Sequence, residues 1–136
     1  MTRFTTTPLL ALLALALTPA CKPQNPSAQP EIIGTWRGNS ECTFKNSPCR
    51  DETNIYRFTA IAARPGWFSG DGSKLVKDKE VSMGPLVFRY DASTHILQSN
   101  TPNGVFRFVI HDDKMVGTLS LPDSTIYRRI HLTKVK

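Results

Sequence analysis

Three histidines and one acidic pair are the side chains in this sequence with the types needed for acid–base or metal chemistry. None of His95, His111 and His131 lies within four residues of another, so the spacing of a metal-binding pair is absent. Asp112 and Asp113 are adjacent, so they point in opposite directions in a strand and are ordinary turn formers in a turn. No Gly-X-Ser-X-Gly motif and no phosphate-binding glycine loop occurs. We therefore expect no enzymatic activity, no metal and no cofactor.

The first 20 residues have the composition of an export signal. They contain no acid and one base, Arg3, and an unbroken run of nine apolar residues covers Leu9 to Leu17. A membrane-spanning helix needs about 20 apolar residues, so this run is too short to span a bilayer. Its length matches the apolar region of a secretory signal peptide. We predict a signal peptide over residues 1–20 and an exported protein, the alternative being a buried core helix.

The segment Leu-Thr-Pro-Ala-Cys, residues 17–21, resembles a bacterial lipobox, in which the cysteine becomes the lipidated N-terminus. The resemblance implies that Cys21 is lipidated and holds the protein on a membrane. Stable membrane anchoring takes two membrane signals. The acyl chains that are added to such a cysteine supply more than that. Lys22 after the cysteine implies an outer-membrane protein that faces the periplasm. Ordinary signal-peptidase cleavage between Ala20 and Cys21 is the alternative.

Residues 22–30, Lys-Pro-Gln-Asn-Pro-Ser-Ala-Gln-Pro, contain three prolines and no aromatic or β-branched residue. Such a segment cannot bury enough apolar surface to fold. Extended at about 3.1 Å per residue, it would reach roughly 28 Å. We predict a lipid-anchored flexible linker over residues 21–30 and a folded domain over residues 31–136.

Two further cysteines, Cys42 and Cys49, lie seven positions apart. If Cys21 is lipidated, they are the remaining pair, and an exported chain meets an oxidising compartment that joins such pairs. No histidine or second cysteine pair lies nearby to complete a zinc site. We predict a Cys42–Cys49 disulfide, the alternative being two free thiols.

Two-residue alternation of apolar side chains, interrupted by turn residues, recurs along the folded part and predicts half-buried strands. The clearest runs cover residues 55–63, 86–91, 105–111, 115–121 and 126–132. Turn-type clusters separate them, and Gly-Asp-Gly-Ser at 70–73 predicts a hairpin tip. The fold class is therefore all-β: an antiparallel meander of seven to nine strands in a closed barrel or strongly curled sheet, since closure removes exposed edges.

Gly34-Thr35-Trp36 near the start of the domain and Ile-Tyr-Arg-Arg-Ile-His-Leu near its end resemble the calycins, the barrel superfamily of lipocalins, fatty-acid-binding proteins and avidins. These barrels begin with Gly-X-Trp and pack an Arg or Lys from the last strand over that Trp. The resemblance implies a barrel of about eight strands. Alternation places Arg128 beside Ile126 and Ile130, so we predict that Arg128 closes the barrel over Trp36 by a cation–π contact and that Arg129 faces solvent. The alternative to a calycin-like barrel is that Trp36 is simply a core residue of some other β-sandwich.

A calycin-like barrel can hold one small ligand or be filled by its own side chains. The candidate interior ligand contacts are aromatic: Phe58, Phe88, Tyr90, Phe106 and Phe108. Because these side chains are bulky, we expect a mostly packed interior.

Residues 21–136 contain 16 basic residues (Arg3 being the other) against 11 acidic ones, a net charge of +5. This charge favours anionic partners such as lipid headgroups or an acidic protein. Nucleic acid is not expected for an exported chain without exposed interleaved aromatic residues. We expect a membrane-anchored, non-enzymatic binding module for a protein partner, of the inhibitor or immunity type. The alternatives are a small-ligand carrier of the calycin type and a structural envelope lipoprotein.

Overall fold

The computed structural model describes residues 31–136, which form an eight-stranded closed antiparallel barrel. The strands are β1 (Gly34–Cys42), β2 (Glu52–Ala60), β3 (Trp67–Val76), β4 (Lys79–Asp91), β5 (Ile96–Thr101), β6 (Gly104–His111), β7 (Lys114–Ser120) and β8 (Ile126–Lys134). Each strand pairs with the next, and β1 pairs with β8 to close the sheet. The predicted all-β meander barrel is confirmed. Between residues 31 and 136, no helix is long and apolar enough to cross a membrane.

The predicted signal peptide, the lipidated Cys21 and the linker lie outside the described residues. They remain predictions.

Inward-facing aromatic side chains fill the centre of the barrel. Because alternate residues of a strand point to opposite faces, Tyr56 and Phe58 of β2 share the interior with Phe88 of β4 and Phe108 of β6. The rings of Tyr56 and Phe58 are stacked, and the other pairs are edge-on or tilted, for example at 5.3 Å between the centroids of Phe58 and Phe88. Burying one such side chain stabilises the fold by about 1.5–3 kcal/mol.

Two glycines inside β3 make room for these rings, and this corrects the prediction of a hairpin tip at residues 70–73. A Cβ atom at Gly70 would lie 2.6 Å from the ring of Phe58 and 2.7 Å from that of Phe88. One at Gly72 would lie 3.2 Å from the ring of Tyr56. The hairpin tip is at Lys77 and Asp78, whose φ angles of 48° and 62° belong to a tight turn. The Gly-Asp-Gly-Ser segment therefore lies inside a strand, where its glycines allow the rings to pack, and does not form a turn.

The Cys42–Cys49 disulfide is present, as predicted. It joins the end of β1 to the loop that leads into β2, across a Cα–Cα distance of 5.9 Å. Closing a loop of this length stabilises a fold by about 2.5 kcal/mol on the chain-entropy model.

Candidate binding sites at the two ends and the outer wall of the barrel

The end of the barrel where the chain enters is closed by Trp36 and Lys134. Trp36 is fully buried, and its Nε1 donates to the carbonyl of Ile32 at 2.9 Å. The Nζ of Lys134 lies 5.6 Å from the centroid of the Trp36 ring and donates to the carbonyl of Glu31 at 2.8 Å. We call this end the bottom of the barrel.

The prediction that Arg128 lies over Trp36 is therefore wrong. In the β1–β8 ladder, Trp36 pairs with Lys134, whereas Arg128 pairs with Cys42 at the other end of β1. Six residues of strand separate the two positions, a distance of about 20 Å at 3.3 Å per residue. The expected contact between the first and last strands exists, but a lysine six residues later in β8 makes it. Arg129 is exposed, as expected.

Alternation also breaks at the start of β8. The β7–β8 register shifts between Leu119 and Ser120, so that Leu119 pairs with Arg128 while Ser120 pairs with Ile126. Ile126 is 39% exposed and does not share the inner face with Ile130. A bulge of this kind inserts an extra residue and reverses the face of the residues before it.

Arg128 lies at the opposite end of the barrel, which we call the mouth. Its Nη1 donates to the carbonyl of Arg50 at 3.0 Å and to that of Ser40 at 3.3 Å, and its Nη2 lies 3.4 Å from Glu52. The side chains of Arg128 and Glu52 are 12% and 18% exposed, and Glu52 also accepts from Lys74 at 3.0 Å. Arg128 thus fixes the disulfide loop to β8 through hydrogen bonds and a partly desolvated ion pair.

The mouth opens into a cavity of about 280 Å³, which we call the mouth cavity. Its polar wall includes Ser40, Glu52, Asn54, Tyr56 and Arg128, and its apolar wall includes Met83, Leu86, Phe106, Leu119 and Ile130. Burial, with a smaller contribution from the charge of Glu52, raises the pKa of the Tyr56 phenol well above its ordinary value. The phenol therefore stays protonated across the physiological range.

Most of the predicted interior ligand contacts are packing residues. Phe58, Phe88 and Phe108 are buried in the aromatic core below the cavity, and Phe106 alone of the five predicted residues lines it. Tyr90 is half-buried near the bottom, where its hydroxyl lies 3.2 Å from Nδ1 of His95.

A groove of about 580 Å³ lies on the outer wall of the barrel, and we call it the outer groove. It exists because β4 and β5 pair over only three residue pairs, from Arg89–Gln98 to Asp91–Ile96, and diverge beyond them. The apolar side chains of the groove are Trp67, Val87 and Ile96. Val109 and Val116 continue the apolar surface from Ile96 across β6 and β7, because Ile96 pairs with Val109 and Val109 with Val116.

Arginines surround the apolar part of the outer groove. Arg89 and Arg107 line it, and the guanidinium of Arg64 stacks 3.8 Å from the centroid of the Trp67 ring. Asp91 is the acid in the lining, and its carboxylate accepts hydrogen bonds from Ser93, which hold the pKa of Asp91 below its ordinary value. The groove therefore combines exposed apolar area with an excess of positive charge.

The free edge of β4 beside the groove is protected against pairing with another strand. Met83 is an extra residue in the β3–β4 ladder, where Gly72 pairs with Gly84 and Ser73 with Ser82. Pro85 follows and has no N–H to donate. Bulges and prolines are the usual means of blunting an edge strand. A ligand of the groove is thus expected to contact side chains and not to extend the sheet.

The three histidines first considered for chemistry are on different elements of the barrel. His95 is in the β4–β5 turn, His111 ends β6 next to Asp112 at 3.0 Å, and His131 is exposed on β8. Within residues 31–136, no three His, Cys, Asp or Glu side chains lie close enough together to hold a metal ion.

Comparison with known proteins gives no family for this chain. No protein-family model matches it, and no curated protein matches it either. The eight-stranded closed barrel is consistent with a small calycin-like barrel, and the functional argument depends on the two sites described above.

Proposed function

We propose that this protein is a lipid-anchored, non-enzymatic binding module of the bacterial cell envelope whose target is another protein, of the inhibitor or immunity type. The observation that supports the proposal most is the outer groove, where exposed Val87 and half-buried Trp67 and Ile96 lie among three arginines. Tryptophan and arginine are the residue types that most often dominate the binding energy of protein interfaces. Val87 in the groove is 46% exposed, and Val109 and Val116, which extend the apolar surface from Ile96, are 45% and 47% exposed. Exposed apolar area of this kind marks interaction sites.

The charge of the groove indicates the chemistry of the partner. Arg89 and Arg107 line the groove, and Arg64 stacks on its Trp67. Asp91, the carboxylate in the lining, is already engaged by Ser93. A guanidinium binds a carboxylate in a planar, bidentate manner, so the complementary surface is an acidic segment with apolar residues between its acids. The net charge of +5 over residues 21–136 would attract such a partner over distances of about a Debye length.

The packed interior supports a surface-binding function over a carrier function. Phe58, Phe88 and Phe108 fill the centre of the barrel, so a long ligand has no volume to occupy there.

The position of Glu31, the first described residue, supports the tether. Glu31 lies at the bottom, and β1 runs from there to the mouth, so a lipid at Cys21 would leave the mouth and the outer wall accessible.

Site-specific photo-crosslinking in intact cells tests this function. p-Benzoylphenylalanine is placed singly at Val87 and at Ile96 in the groove, and at exposed Asn39 on β1 as the matched control. The proposal predicts one crosslinked envelope protein common to Val87 and Ile96 and absent from Asn39. Its identity comes from mass spectrometry, and its contact segment is expected to be acidic.

Two results would contradict the proposal. One is the same set of products from all three positions. The other is a product made of two copies of this chain, which would mean that the groove joins identical subunits.

A further inference from the structure

One buried polar group in the mouth cavity has no hydrogen-bond partner within residues 31–136. Asn54 is on the inner face of β2, between Glu52 and Tyr56, and is 2% exposed. Its side-chain Nδ2 makes no hydrogen bond to any group in residues 31–136. An unpaired buried donor costs folding free energy, and an apolar side chain of the same size would avoid that cost. Asn54 lines the cavity wall, so a ligand in the cavity can reach this donor.

The charges around Asn54 are unequal. Among the described residues, Glu52 is the only carboxylate in the cavity wall, and it is shared by two cations, Arg128 at 3.4 Å and Lys74 at 3.0 Å. The remaining titratable group of the wall, Tyr56, is a neutral phenol. Lys74 bonds to Glu52 without lining the cavity itself. Counted together, Glu52, Arg128 and Lys74 have one positive charge in excess, which favours an anionic group beside the unpaired donor.

The rest of the wall is apolar, and its depth is limited. Met83, Leu86, Phe106, Leu119 and Ile130 form this surface. Tyr56 and the rings of Phe58 and Phe108 lie beneath it and close the way to the bottom. A volume of about 280 Å³ is near the lower limit of ligand pockets, which is about 300 Å³, so a long acyl chain does not fit.

We propose that the mouth cavity binds a compact organic carboxylate. A carboxylate oxygen accepts a hydrogen bond from Nδ2 of Asn54, and the apolar body of the ligand contacts Leu86, Leu119 and Ile130. This site is on the inner side of the wall, and it does not depend on the function proposed for the outer groove. It differs from the aromatic interior site that the sequence predicted, since most of those aromatic residues pack below it.

The test uses nuclear magnetic resonance on the ¹⁵N-labelled mature chain, residues 21–136 with Cys21→Ser, because the side-chain amide of Asn54 is a direct reporter. Three probes share nearly the same shape and differ in charge: anionic 4-methylpentanoate, neutral 4-methylpentanamide and cationic 4-methylpentylamine. Hexadecanoate tests the limit on length. We expect 4-methylpentanoate to shift the Asn54 amide signals and to bind roughly tenfold more tightly than the neutral amide, since hydrogen bonds to a charged acceptor are stronger. The amine and hexadecanoate are expected to leave these signals unchanged.

Asn54→Leu separates a ligand-binding role from a structural one. If Asn54 serves a ligand, this variant loses at least tenfold in affinity for 4-methylpentanoate while its urea midpoint rises. A structural asparagine would instead give a lower midpoint.

Met83 provides a second pair of variants that leaves the core intact, because this residue is on the rim and is 44% exposed. Met83→Glu should weaken the binding of 4-methylpentanoate several-fold and Met83→Lys should strengthen it. Both variants should bind 4-methylpentanamide equally.

Four results would overturn the proposal. They are the absence of any shift of the Asn54 signals, binding of the amide as tight as that of the acid, binding of hexadecanoate at Asn54, and equal binding of the acid by the two Met83 variants.

Discussion

Lys134 lies over Trp36 and joins the last strand of the barrel to the first, with its Nζ 5.6 Å from the ring centroid. The same ammonium group donates to the carbonyl of Glu31 at 2.8 Å, so one side chain covers the core tryptophan and holds the segment that enters β1. The contact depends on the register of β1 and β8, in which these two residues pair directly.

Lys134→Met should destabilise the domain by about 1–2 kcal/mol, because it retains the apolar stem but removes the cation–π contact and the hydrogen bond to Glu31. The measurement is urea unfolding followed by tryptophan fluorescence. The matched control is Lys136→Met, which changes an exposed residue and should alter the free energy of unfolding by less than about 0.5 kcal/mol. Equal losses for the two variants would show that the ammonium group contributes nothing to closure.

Arg128→Met should cost about 2–3 kcal/mol, since it leaves the carbonyls of Ser40 and Arg50 without their donor and removes one partner of Glu52. Because Lys74 still pairs with Glu52, the loss should be smaller than that for a fully buried ion pair. Arg129→Met, on the exposed neighbour, is the control for chemical denaturation. If the two variants unfold at the same urea concentration, Arg128 does not fix the disulfide loop.

Glu80 should make the stability of the barrel depend on pH in the acid range. The hydrogen bond from Arg57, followed by that from Ser73, lowers the pKa of Glu80 from 4.5 to about 2. A folded-state pKa below the unfolded value gives a stabilising contribution that is fully present above pH 4.5 and is lost as the pH falls toward 2. The side chains of Arg57 and Glu80 are 48% and 37% exposed, so water screens the pair and the effect should be small.

The direct measurement is a titration of the Glu80 carboxyl carbon by nuclear magnetic resonance. The expected midpoint is near 2 in the wild type and higher in Arg57→Met, though still below 4.5 because the hydrogen bond from Ser73 remains. A midpoint near 4.5 in the wild type would contradict the role of Arg57.

Cys21→Ser should release the protein from the membrane fraction, because the predicted anchor is the lipid on this cysteine. Cell fractionation with immunoblotting measures the distribution. Cys42→Ser together with Cys49→Ser is the control, since it removes two cysteines without touching the anchor and should leave the protein with the membranes. Unchanged partitioning of the Cys21 variant would show that the chain is not held by lipid at this residue.

The sequence was sufficient to predict an antiparallel meander and the inner faces of most strands, but not the β3 strand at residues 70–73, the face of Ile126 or the register between distant strands. Two-residue alternation placed Arg128 inward and Arg129 outward, as observed. The pairing of Trp36 with Lys134 rather than Arg128 depends on the β1–β8 register, which is a property of the closed sheet and not of either strand. Gly70 and Gly72 were assigned to a turn because their role, room for aromatic rings of other strands, is visible only in three dimensions.

The candidate sites were less predictable than the fold. The outer groove depends on where β4 and β5 stop pairing, and no local sequence pattern reports that point. Asn54 could have been noticed, because alternation from Tyr56 and Phe58 places it on the inner face, where an amide needs a partner. The predicted aromatic contacts belong to the core or pack against it, and Phe106 alone of those five residues lines the mouth cavity.

The central claim is that the outer groove binds an acidic segment of a partner protein, and a charge reversal at Arg107 tests it most directly. The yield of the crosslinked product from p-benzoylphenylalanine at Val87 is measured in cells that express Arg107→Lys or Arg107→Glu. Because Arg107 lines the groove and its change leaves the core untouched, both variants should fold and reach the envelope equally. The account predicts a product close to the wild-type yield for Arg107→Lys and at least a tenfold loss for Arg107→Glu; equal yields from the two variants would contradict it.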